Sequence, residues 1–89
     1  MSFHPAFPGF DFPEVGDRFT QTPHDGSDRR YFGNHQGFDN LEVTSVTDAV
    51  GHLFIRYICR DEKRNNVAYG YATEREWVGH CKRFDRKKV

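Results

Sequence analysis

Polar and apolar positions alternate along the second half of the chain in the two-residue rhythm of half-buried strands, and near the end that rhythm gives way to a helical one. Leu41, Val43, Ser45 and Thr47 alternate with Glu42, Thr44, Val46 and Asp48, which predicts a strand; Asp48-Ala49-Val50-Gly51 then supplies a tight hairpin connection. The next strand, His52 to Arg60, carries Leu53, Ile55, Tyr57 and Cys59 on the better core face. Its other face, His52, Phe54, Arg56, Ile58 and Arg60, mixes apolar side chains with arginines. Asp61 to Asn66 reads as an exposed hairpin tip. Val67 to Thr73 follows as a strand with Val67, Tyr69 and Tyr71 on one side and Ala68, Gly70 and Ala72 on the other. Pairing core face with core face predicts that Tyr57, Tyr69 and Tyr71 share one side of the sheet, and that Phe54 and Ile58 share the opposite side with the small residues.

Thr73-Glu74-Arg75-Glu76 has the spacing of a capping box, in which hydroxyl and carboxylate satisfy one another's backbone amides at a helix start. Trp77, Cys81 and Phe84, with Val78 beside them, give the apolar stripe of a short helix, and cations collect at its C-terminal end. Residues 85–89 read as a basic tail.

The first half is less regular. Residues 1–14 form an arm with Phe at positions 3, 7, 10 and 12 and Pro at 5, 8 and 13. Proline excludes helix and central strand, while so many rings require a surface to lie on, either this domain's own or that of a second copy or partner. Val15 to Gln21 predicts a turn and a short strand ended by Pro23. Residues 23–40 read as a long polar loop with three Gly. Within it, Arg29, Arg30, Tyr31 and Phe32 combine cations with rings, the residue types enriched at binding hot spots; alternatively Tyr31 and Phe32 pin the loop to the core.

Composition narrows the picture. At 89 residues the chain is one domain long, and its apolar fraction of 36% is low, but nine Phe, four Tyr and one Trp supply large rings for a small core. The expected fold is α+β and mainly β: a small bent antiparallel sheet or barrel of about four strands with one short C-terminal helix, in a single domain over residues 15–84. No run approaches the ~18–20 apolar residues of a membrane span. The opening residues lack a basic start and a continuous apolar run, so a cytoplasmic setting with reduced thiols is expected.

Charge is zero overall but polarised: residues 1–45 hold three basic and seven acidic side chains, residues 46–89 ten basic and six acidic. That neutrality weighs against a dedicated nucleic-acid binder, which carries a basic excess. Arg56 and Arg60 beside Phe54, with the basic C-terminus, keep a nucleic-acid-binding strand face as the alternative. Cys59 and Cys81 lack paired metal-ligand spacing, no Gly-rich phosphate loop is present, and the carboxylates lie mostly in turns beside cations. The expectation is a non-enzymatic protein without metal or cofactor that binds a protein partner. Its candidate contacts are Arg29, Arg30, Tyr31, Phe32, Phe54, Arg56, Ile58 and Arg60. A structural homodimer, burying the mixed strand face or exchanging the Phe arm, is a further alternative.

One resemblance accompanies this reading. A Gly16-Asp17 turn opening the first strand, an insert, three further strands and a short Trp-containing helix resemble, over residues 15 to 84, the small SH3-like β-barrel accessory proteins of phages and mobile elements. The resemblance implies a protein that acts by binding, in some cases by blocking a host or defence protein. It transfers no functional residue by motif.

Overall fold

The computed structural model describes residues 6–22, 38–61 and 65–89. Five antiparallel strands and one helix follow in the order β1 (Arg18–Thr20), β2 (Asn40–Ala49), β3 (His52–Asp61), β4 (Asn66–Thr73), α1 (Glu74–Arg83) and β5 (Lys87–Lys88). They form one sheet, β4-β3-β2-β1-β5, with the helix packed on one of its faces. Among the described residues the fold is thus mainly β with one short helix, and its sheet is open, with five strands where the sequence led us to expect about four.

The β2–β3 hairpin turns on Val50 and Gly51, both at positive φ (54° and 79°), and the Asp48 carboxylate accepts from the Gly51 amide at 3.2 Å. Two successive left-handed residues match the right-handed strand twist, so the turn feeds β2 directly into β3. A register shift between Val43 and Ser45 leaves Thr44 as an extra residue, so Val43 stands opposite Tyr57 and Ser45 opposite Arg56. The shift lets Val46 return to the core face against Ile55 and Ala72.

Register assigns the faces. On the core side run the rows Phe19–Leu41–Cys59–Ala68, Val43–Tyr57–Gly70 and Val46–Ile55–Ala72. Leu41, Val43, Ile55, Tyr57, Cys59 and Ala72 are almost wholly buried there. Tyr69 and Tyr71 therefore lie on the opposite, outer side, which corrects the expectation that they join Tyr57. The reason is volume. Tyr57 and Trp77 meet edge-on with ring centroids 5.8 Å apart, and the Tyr57 ring lies so close over Gly70 that a Cβ there would sit 2.5 Å from it. Large rings under the helix require the small face of β4, and the tyrosines are left on the other side.

The capping box forms as the sequence predicts: Glu76 N donates to Thr73 Oγ1 at 3.4 Å, and Thr73 N donates to Glu76 Oε1 at 3.1 Å. Trp77, Val78 and Phe84 are buried, while Cys81 is half-buried at the margin of the core. Burying each such large side chain contributes roughly 1.5–3 kcal/mol. The helix ends with Asp85 at φ 49°, and Arg86 N donates back to Cys81 O at 3.0 Å, the reversal that left-handed C-terminal residues make.

That reversal sends Arg86 inward. Its guanidinium lies 4.9 Å from the Trp77 ring centroid, 5.2 Å from that of Tyr57 and 5.7 Å from that of Phe84. Its Nε donates to Gln21 Oε1 at 2.9 Å, and Gln21 Nε2 donates to Phe38 O at 2.7 Å. Lys87 and Lys88 then pair with Thr20 and Phe19, and Val89 N donates to Arg18 O at 2.9 Å. The last five residues thus carry a buried cation and an edge strand, where composition alone suggests a basic tail. At the other terminus Phe12 is buried and Phe7 and Phe10 pack against the same core, so the described part of the arm covers this chain's own domain.

Candidate functional site

The outer side of the sheet is built by every second residue of β2, β3 and β4. Its rows are Arg18–Glu42–Ile58–Tyr69, Ser45–Arg56–Tyr71 and Thr47–Phe54–Thr73, with Asn40–Arg60–Val67 at the end towards the second hairpin. No helix covers it among the described residues, since α1 occupies the core side. Tyr69 and Tyr71 remain 72% and 71% exposed, Val67 52% and Phe54 40%, with Ile58 half-buried between them. Single exposed apolar residues are ordinary, whereas a contiguous set on one face makes that face the candidate site.

Two hollows shape this side. One, of about 390 Å³, is walled by Phe54, Arg56, Tyr69, Gly70 and Tyr71. The other, of about 470 Å³, lies towards β1 and includes Arg18, Asn40, Glu42, Arg60 and Val89. The second is ionic: Glu42 Oε1 lies 3.3 Å from Arg60 Nη1 and 3.9 Å from Arg18 Nη2. Half-exposed pairs like these contribute about 0–1 kcal/mol each, so their main effect is to occupy two cations with one carboxylate. Arg56 is exposed and has no carboxylate partner among the described residues.

Of the site residues expected from sequence, the structure brings Phe54, Arg56, Ile58 and Arg60 onto this one face. Arg29, Arg30, Tyr31 and Phe32 lie outside the described residues. Sequence reasoning missed Val67, Tyr69 and Tyr71 as surface groups. The signal was the run Ala68, Gly70, Ala72, whose small side chains mark the side on which the Tyr57 and Trp77 rings approach.

Both cysteines lie on the core side. Cys59 is buried, and desolvation pushes its thiol up to about 11 against a smaller opposing effect of the nearby Arg86 charge. Burial raises the half-buried Cys81 thiol as well, again opposed by Arg86. Glu74 accepts from Leu53 N at 3.0 Å and pairs with His52 Nδ1 at 3.0 Å; the His52 hydrogen bond is the foremost cause holding its carboxyl below the ordinary range. These groups staple the helix start to β3 and fill the core. Among the described residues no group of three His, Cys, Asp or Glu side chains is placed to hold a metal ion, and no helix is long and apolar enough to cross a membrane.

Comparison with known proteins finds no matching family model, no similar curated protein and no similar solved structure.

Proposed function

We propose that this chain is a non-enzymatic protein-interaction module that binds a partner protein through the outer face of its sheet. The observation carrying the reading is the exposure of Phe54, Val67, Tyr69 and Tyr71 together on one side, while the core on the other side is filled without them. Aromatic residues interleaved with an arginine are the side chains that dominate binding energy at protein interfaces. A phage-type inhibitor that blocks a host or defence protein is the form of this reading that the resemblance to small SH3-like accessory proteins adds. The return of the last strand to the edge of the first, with a helix just before it, supports a small barrel of that kind.

Nucleic acid fits this face less well. Two of its three arginines already converge on Glu42, and Lys87, in the outer row beside Thr20, pairs with Asp85 at 3.6 Å, which leaves little free cationic surface for phosphates. The test is capture from the native cell extract by the parent and by Phe54→Ser and Tyr71→Ser variants, with folding followed by circular dichroism. The reading expects a defined protein complex with the parent and its loss with folded variants. Equal capture by parent and variants contradicts it, as does a complex formed only with RNA or DNA and lost steeply with salt.

A further inference from the structure

We propose that the partner contributes an acidic segment, with one carboxylate on Arg56 and an adjacent aromatic or branched side chain in the hollow walled by Phe54, Tyr69, Gly70 and Tyr71. This inference rests on the protein-binding reading above and names the chemistry of the occupant. It begins with charge. Among the described residues the outer rows of the sheet hold Arg18, Arg56, Arg60 and Lys87 against Glu42, with Lys87 at the far edge 3.6 Å from Asp85. Glu42 is engaged by Arg18 and Arg60, so Arg56 is the guanidinium there with no carboxylate beside it. An occupant lying over Arg56 removes water from that cation. A neutral segment leaves it desolvated and unpaired, and a basic one adds like-charge repulsion. A carboxylate supplies a charge-assisted, bidentate partner instead.

The second element is position. Arg56 stands directly across from Tyr71 in the strand register and shares the wall of the same hollow with Tyr69 and Phe54. Neighbouring strands are about 4.8 Å apart, so a carboxylate on Arg56 and a ring against Tyr71 are within reach of neighbouring side chains of one extended segment. Between the two tyrosines only the backbone at Gly70 faces outward, because position 70 turns its side-chain direction to Tyr57 on the core side, and the hollow, about 390 Å³, has room for one large apolar group and its flanks. A polyphosphate backbone finds a poorer match, because the other two arginines of this face are already held on Glu42.

The test uses the full chain carrying Tyr71→4-benzoylphenylalanine, photocrosslinked in the native extract, with the linked peptide sequenced and then synthesised. The expected result is a protein segment with Asp or Glu within about three residues of the linked position. Its synthetic peptide binds the parent chain, and binding falls about tenfold or more with Arg56→Glu and less with Arg56→Gln. Changing that acidic residue of the peptide to Lys restores binding to Arg56→Glu. A linked protein segment without an acidic residue, or one whose binding ignores Arg56, overturns this inference and leaves the protein-binding reading standing. Crosslinks to nucleic acid alone, to a second copy of the chain alone, or to nothing overturn both.

Discussion

Single residues in this fold are held by local geometry whose alteration has a definite sign. Val50 is a β-branched residue at φ 54°, 98% exposed, in a turn that otherwise favours Asn followed by Gly. The left-handed conformation costs such a residue about 1–2 kcal/mol, so Val50→Asn should raise stability by roughly 1 kcal/mol in urea unfolding. Gly70 gives the opposite sign. The Tyr57 ring occupies the space a Cβ needs, and Gly70→Ala should cost about 1–3 kcal/mol by overpacking. Glu74 links stability to pH. Its carboxyl is lowered from an ordinary 4.5, first by the His52 hydrogen bond, so the ionised form stabilises the fold above that value. The contribution is lost as pH falls through the lower folded value. The stability difference between the parent and Glu74→Gln should therefore be full at pH 7 and shrink as pH falls below the ordinary carboxyl value of 4.5, measured by urea titration at each pH.

At the scale of elements, the C-terminal segment is the least expected part of the molecule. Arg86 packs against three rings with Gln21 on its Nε, and no carboxylate pairs with it among the described residues. A planar guanidinium stacks on rings in a way a lysine ammonium does not, so Arg86→Lys should destabilise by roughly 1–3 kcal/mol despite keeping the charge. Beneath it Cys59, with its thiol raised from 9.0 to about 11, should react with iodoacetamide at pH 8 about a hundredfold more slowly than in the urea-unfolded chain. Strands β2, β3 and β4, both hairpins and the helix with its capping box were legible because each is set by local periodicity and turn chemistry. The side taken by Tyr69 and Tyr71 was not, because β4 alternates large and small residues and only the packing of Tyr57 and Trp77 decides which set faces inward. The course of residues 86–88 was hidden for a related reason: a short basic run looks solvated until aromatic rings from β3 and α1 gather around one of its cations. Of the candidate contacts, the β3 set was legible as the face the core does not use, and its β4 partners required the register.

At the scale of the whole molecule, the two sides of one sheet do different work under the proposed reading. The side under α1 holds the core, with Ile55, Tyr57, Cys59 and Trp77, and the proposed recognition falls to the other side, to Phe54, Arg56, Ile58, Tyr69 and Tyr71. Because strand side chains alternate, the two roles interleave residue by residue along β3. A serine scan of β3 from Leu53 to Arg60, each variant read for both unfolding free energy and partner capture, tests this division most directly. The account predicts signals out of phase. Leu53, Ile55, Tyr57 and Cys59 should lose about 2–5 kcal/mol of stability or fail to fold. Phe54, Arg56 and Ile58 should lose capture while stability changes by less than about 1 kcal/mol. Capture that persists through all three of those outer-face substitutions would contradict the account.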